Sequence, residues 1–330
     1  MTRSSNALLL TLLLALAPQA ALAQSVPDVG GLKRPLVAEN FSPFELTTLG
    51  VASAGALTLM MGGDAIFGQP KPSMGPPAYD SIDARFSRWA NPNPDPASQW
   101  LGGAPDLGGY AMPIVALAFY GTGAAGNALS SDFFIGDTTH ELIAFGESLA
   151  WSMLVVNGLK FMVGRERPFV AKSRAGEVAP RDQWDVPQKE ENISFPSGHS
   201  AAAAVTMTFV MLDLSDHLYY NSLSGQHGAV RWGVGRLLPA LAGAGVTWTV
   251  MYSRIKDQRH WLSDTLVGAF VGTTFATIFY TMHFDDKGKA RRRYKACDDC
   301  DESTATTTQH IIAPTMLPHS GVGFGWFTTF

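Results

Sequence analysis

Six long apolar stretches, at 46–63, 107–129, 142–163, 201–212, 237–252 and 265–282, limit what this chain can become. The third shows why they read as helices: Asp137, Thr138 and Thr139 supply capping chemistry, Glu141 falls in the first turn, and a long apolar run follows. The expected fold class is all-α, a compact helical bundle of about six core helices with a short C-terminal β-hairpin. Hydrophobic residues make up 46% of the chain and charged residues 16%, with a mean hydropathy of +0.06. That balance is high for a soluble protein and low for a polytopic one. Several of the stretches fall short of the ~20 residues a spanning helix needs, and they are rich in Gly, Ala and Thr.

The ends of the chain have a different character. Arg3 followed by an apolar run at 8–16 and the small-x-small exit Ala21-Leu22-Ala23 reads as a secretory signal peptide, with cleavage after Ala23. The domain reading is a signal peptide at 1–23, a linker at 24–44, a helical domain at 45–284 and a tail at 285–330. Segment 68–109 is crowded with Pro, Gly, Asn and Asp and is expected to be a long surface loop, with one short amphipathic helix at 81–89. A second loop at 169–193, which includes Trp184, is a candidate lid. The tail sets Lys287, Lys289, Arg291, Arg292, Arg293 and Lys295 beside Asp298, Asp299, Asp301 and Glu302, a pattern typical of a solvated segment, with membrane-surface contact as the alternative. Cys297 and Cys300, the only cysteines, suit a local disulfide in an oxidising compartment better than a metal site. Residues 321–330 alternate like a strand, and 309–317 can pair with them as a terminal hairpin.

The chemistry lies in three clusters. In the first, Lys160 and Arg167 stand seven apart on an apolar helical stretch, so two turns bring both cations near one face, and Pro168 stops the helix. In the second, Pro196-Ser197-Gly198-His199 precedes a strong helix former. Ser197 is then an N-cap, the first free N–H groups carry the positive end of the dipole, and Gly198 lets an anion approach the backbone. In the third, Ser253-Arg254 precedes His260 and Asp264, which at i and i+4 are neighbours on a helical face within reach of a carboxylate–imidazole hydrogen bond. Such a bond would fix the tautomer and leave the other ring nitrogen free to attack phosphorus. Three cations, a helix N-terminus, two imidazoles and a carboxylate are what a phosphoryl transition state needs without a metal. Spacing alone does not decide which histidine attacks; only the carboxylate at i+4 favours His260. Arg165, Lys256, Asp257 and Arg259 read as solvated loop charges, and His140, His217 and His227 as surface or capping histidines.

Taken in order, Lys160-x6-Arg167-Pro168, Pro196-Ser197-Gly198-His199 and Ser253-Arg254-x5-His260-x3-Asp264 resemble the tripartite motif of the type 2 phosphatidic acid phosphatase superfamily, which includes bacterial acid phosphatases, membrane lipid phosphatases and vanadium haloperoxidases. The resemblance implies that His260 is the nucleophile that forms a phosphohistidine and that Asp264 orients it. His199 would protonate the leaving alcohol and then activate water. Lys160, Arg167, Ser197, Gly198 and Arg254 would hold the phosphoryl oxygens. No cofactor or metal is expected on this reading, and the partner is a phosphate ester or phospholipid substrate rather than a nucleic acid.

The leading function is thus a metal-independent phosphatase acting on phosphomonoesters or lipid phosphates. The alternatives are a vanadium-dependent haloperoxidase using the same pocket, or a non-catalytic phosphate binder. A cleaved signal followed by three spanning helices would deliver Lys160 and Arg167 to the cytoplasmic side, against an exported enzyme. The expectation is therefore a periplasmic or envelope helical protein, membrane-associated, with an integral membrane protein as the alternative.

Overall fold

The computed structural model describes residues 41, 43–68, 70, 74–96, 111–129, 138–184, 186, 188–290, 309–317 and 321–329. The signal-like segment, nearly all of the linker, both cysteines and the charged stretch around them lie outside the described residues. Six long helices coincide with the six apolar stretches: α1 (Pro43–Phe67), α3 (Met112–Leu129), α4 (Thr138–Val163), α6 (Gly198–Asp216), α8 (Leu238–Lys256) and α9 (Leu262–His283). Three short helices join them: α2 (Ile82–Ala90), α5 (Pro168–Arg174) and α7 (Gly228–Trp232). The all-α expectation holds. The described residues up to 290 form one compact unit, and the two strands at 309–317 and 321–329 belong to a second. In the second, β1 (Gln309–Leu317) and β2 (Gly321–Thr329) pair antiparallel, Gln309 opposite Thr329 and Leu317 opposite Gly321, which is the expected hairpin.

Helix α6 is the axis. Its run of small residues, Ala201 to Ala204, is buried, so α3, α4, α8 and α9 can all pack on it. Just past its middle Phe209 sits edge-on to Tyr120, Phe145, Tyr280 and Phe284, with ring centroids 5.9, 5.5, 5.4 and 6.4 Å away. Edge-to-face pairs of this kind add roughly 0.5–1.5 kcal/mol each beyond the area they bury. The hydroxyls of Tyr120 and Tyr280 donate to Asp213 and Asp216 on α6, so neither polar tip is stranded in the core.

Polar side chains are buried beside this apolar core, and large apolar ones cover the outside. Glu147, Ser148, Ser152 and Asn157 of α4 are buried, while Val51, Met61, Ile66, Phe119, Leu241 and Phe270 are exposed on the outer helix faces. By length and composition four helices among the described residues are able to cross a membrane: Glu45–Phe67, Thr139–Val163, Gly228–Lys256 and Leu262–His283. The chain alternates direction through the bundle. Phe67 meets Phe161 at one end, where α1 and α4 finish, and Phe41 meets His140 and His283 at the other.

Close approach of α9 to α6 depends on two glycines one turn apart. A Cβ on Gly268 would lie 2.3 Å from the Ser197 carbonyl oxygen, and one on Gly272 would lie 2.3 Å from that of Ala201. Small residues of this kind let helix backbones touch where a lipid solvent gives no hydrophobic drive. Gly272→Ala should therefore destabilise the protein by about 1–3 kcal/mol. Gly245→Ala, on an open face of α8 with no atom within 4 Å of the added carbon, should be neutral or stabilising by up to about 1 kcal/mol. Thermal midpoints of the two purified variants check the contrast, and equal effects would contradict it.

Candidate active site

The three clusters meet at the end of the bundle where α4 and α8 finish and α6 and α9 begin. Helix α4 ends at Val163, and Gly164 turns the chain with φ +57, a conformation that costs glycine little. Pro168 therefore does not stop the first helix as expected. It opens a new one, α5, at the first position, where its missing N–H is harmless, and Arg167 is the residue before it. Lys160 and Arg167 do not share a helix face. They converge because the chain turns between them. Arg167 is buried, its backbone N–H donates to the Glu191 carbonyl at 2.8 Å, and its guanidinium reaches Glu190 at 3.2 Å.

Ser197 is the N-cap of α6, as its position before the helix former suggests. Its Oγ accepts from the Ser200 N–H, and Gly198 and His199 occupy the first turn. The backbone N–H of Ser197 donates to the Asp264 carbonyl at 3.0 Å, which locks the start of α6 to the start of α9.

His260 and Asp264 differ from the expected pairing. His260 lies in the turn before α9, not on the helix, and Asp264 is in the first turn of α9. Their closest approach, Nδ1 to Oδ2, is 4.0 Å, so no direct hydrogen bond joins them. Ser194 stands between. Its carbonyl accepts from His260 Nδ1 at 2.7 Å, while its hydroxyl donates to Asp264. Because a carbonyl can only accept, Nδ1 carries the proton and Nε2 carries the lone pair. Asp264 also accepts from the Trp261 backbone N–H at 2.9 Å, which closes the turn that holds His260.

Arg165, read as a solvated loop charge, is nothing of the kind. It is 5% exposed and pairs with two carboxylates, donating to Asp264 and, at 2.9 Å, to Asp83 of α2. Asp83 in turn accepts from the N–H and hydroxyl of Ser263 at 2.7 and 2.6 Å. Removing one partner of a buried pair of this type costs roughly 3–5 kcal/mol. Asp257 is buried too, and the charge of Arg259 acts on His199. His227 caps α7 as expected, whereas His140 is buried against Phe41. His283, not singled out from sequence, pairs with buried Glu147 at 2.7 Å.

The electrostatics show the clusters acting on one another. Burial pushes His260 well below the usual histidine range, and the charges of Arg167, Arg254, Lys160 and His199 push it the same way. His199 is lowered by burial first, then by Arg254, Lys160, Arg167 and Arg259. Both rings are therefore neutral near pH 7 while the site is empty, and a bound anion would cancel part of the positive field. Histidine-labelled NMR should find both rings still neutral at pH 6.5, the ordinary midpoint. Arg254→Gln should move both midpoints upward. Midpoints at or above the ordinary value in the native protein would contradict this field.

Residues 141–287 match the family model of the PAP2 superfamily. A PA-phosphatase related-family protein of Dictyostelium discoideum is 28% identical over 149 residues, covering 45% of this chain and 51% of that one. The chain thus spans about half the length of this curated relative. Among solved structures, Aquifex aeolicus LpxE is similar at 17% identity and TM-score 0.39, over 61% of this chain and 97% of that one. The first transmembrane PAP2 type phosphatidylglycerolphosphate phosphatase from Bacillus subtilis is similar at 17% identity and TM-score 0.37, over 83% and 94%.

Proposed function

We propose that the protein is a phosphatase that removes phosphate from a lipid phosphomonoester through a phosphohistidine intermediate, with the span-length helices seated in a bilayer. The observation that carries this reading is the convergence of Lys160, Arg167 and Arg254, from three separate segments, on the rings of His199 and His260. A non-catalytic phosphate binder would need the cations and the α6 N-terminus. It would not need a buried imidazole whose tautomer is fixed by Ser194.

The steps follow from these positions. The phosphoryl oxygens are held by Lys160, Arg167, Arg254 and the first-turn N–H groups of α6, with Gly198 allowing close backbone approach and Ser197 capping the helix. His260 Nε2 attacks phosphorus, the P–O bond to the alcohol breaks, and His199 gives the leaving oxygen its proton. His199 carries that proton because the negative phosphate offsets the cations that otherwise depress it. Water then attacks the phosphohistidine, its proton passes to His199, the N–P bond breaks, and phosphate leaves. Asp264 acts through Ser194 and the Trp261 turn, stabilising the positive charge that grows on His260.

A cleft beside the site favours lipid over soluble substrates. Helices α1 and α3 both pack on α4 but barely touch each other. Between them is a space of about 660 Å³, lined by apolar side chains such as Leu57, Met60, Ile114, Leu149 and Met153. Along α4 it runs from Gly146 to Asn157, about 16 Å at helical rise, which is close to half of a ~30 Å hydrocarbon core. Its inner end is one turn of α4 from Lys160, and Ala202 at its floor is one turn of α6 beyond His199. A chain of one bilayer leaflet fits there with its headgroup at the site.

The purified protein should release phosphate from phosphatidate in detergent at least tenfold faster, in kcat/KM, than from p-nitrophenyl phosphate, a factor worth about 1.4 kcal/mol. His260→Ala should abolish both activities and the acid-labile phosphoenzyme, whereas EDTA should leave turnover unchanged. Loss of activity with EDTA would refute the metal-free mechanism, and a preference for the soluble ester would refute the lipid substrate.

A further inference from the structure

Helix α2 has its polarity reversed relative to a helix on the surface of a soluble protein. Asp83 and Ser87, four residues apart, share one face, and this face points inward, as does Asn91, the residue that ends the helix. Asp83 holds Ser263 and Arg165, Ser87 donates to Gln258 at 3.0 Å, and Asn91 donates to the Lys256 carbonyl at 2.9 Å. Lys172 of α5 reinforces the middle contact by donating to both Ser87 and Gln258 at 2.9 and 2.7 Å. Gln258 is fully buried with φ +57, so these bonds hold a backbone shape that a glutamine would not adopt by itself. All three contacts fall on the segment that carries His260.

The outward face carries large apolar side chains, with Arg85 between Ile82 and Trp89. Ile82 is 75% exposed and Trp89 69%, and Tyr79 just before the helix is 63% exposed. A lipid surface is the partner that this face fits. Phe86 and Trp89 pack edge-to-face on Trp248 and Tyr252 of α8, with centroids 6.1 and 6.2 Å apart, so the patch continues the apolar outside of a span-length helix. Trp248 lies eight residues before the end of α8, about 12 Å along it, so α2 runs along the flank of the bundle instead of capping its end. Trp and Tyr prefer the layer where one edge is apolar and the other wet. Exposed Arg85, 4.0 Å from the carboxylate of Asp80, and half-buried Arg88, whose guanidinium lies 3.9 Å over the Tyr79 ring, set cations beside the patch where anionic headgroups would be.

We propose that α2 lies in the interfacial layer of the bilayer, seating Ile82, Trp89 and Tyr79 among the lipids while its other face braces the turn of His260. Bilayer contact and the geometry of the nucleophile's turn are thereby coupled through one helix. This rests on the membrane reading of the preceding subsection and adds a surface outside the matched family segment.

The test uses the full chain reconstituted in phosphatidylcholine–phosphatidylglycerol vesicles, with or without lipids brominated near the headgroup end of the chains. The fluorescence difference between native protein and Trp89→Phe isolates one of eight tryptophans. That component should be quenched in brominated vesicles. Absence of quenching, including through shielding by a second copy or another protein, overturns the proposal whatever the protein's activity. In parallel, the Ile82→Ser/Trp89→Ser variant should keep its rate on p-nitrophenyl phosphate in detergent and lose on the order of tenfold on phosphatidate in vesicles, as expected for a weakened interfacial anchor. Equal rates for native and variant protein in vesicles, or an equal loss in both media, would overturn the coupling. A native protein inactive on every substrate would sink the proposed function while leaving the quenching result to decide the membrane contact.

Discussion

Asp264 is fully buried, and the geometry of the site depends on how its charge is met. Arg165 neutralises it, the Ser194 hydroxyl and the Trp261 N–H fill its remaining acceptor sites, and its own carbonyl takes the N–H of Ser197. A buried carboxylate left short of these partners would cost several kcal/mol. Satisfying it brings four segments to one place: the 165 turn, the irregular stretch at 194–197, the 260 turn and α9. The same contacts that solve a solvation problem fix the position of His260. Distances within the site are thus a by-product of polar satisfaction, more than of hydrophobic packing.

The rest of the bundle serves that node by bringing helix ends close. Gly268 and Gly272 let α9 lie against α6, and the alanines of α6 leave room for its neighbours. With polar groups turned inward and large apolar residues outward, the architecture suits an apolar surrounding, where buried hydroxyls and amides find partners inside. It also explains how a cleft with apolar walls can end within a turn of strongly cationic residues. Both features are built on α4 and α6, and the change of character happens along the length of those two helices.

Much of this was legible in the sequence because it is encoded locally. The apolar runs set the long helices, Ser197 sits where an N-cap should, and the alternating residues after 320 make a strand. Two differences from the sequence expectation are local. Gly164, not Pro168, ends the helix that carries Lys160, and His260 precedes the last helix because Asp264, three residues after Trp261, is a first-turn acid accepting a backbone N–H. The deeper gaps were long-range. Arg165 acquires its role from Asp83, 82 residues upstream, and Ser194 from groups about 70 residues downstream; no spacing pattern announces such pairs. The reversed faces of α2 were visible as amphipathicity, but which face turns inward is decided by the turn it braces.

The central claim is that three separated segments surround a single phosphoryl group in line with His260. An experimental structure of the protein with orthovanadate bound, a mimic of the transferring group, tests it most directly. The account predicts vanadate bonded to or in contact with His260 Nε2, its oxygens meeting Lys160, Arg167, Arg254 and the Gly198 N–H, with His199 on the opposite side. Vanadate seated elsewhere, or seated among the cations with His260 turned away from it, would contradict the account.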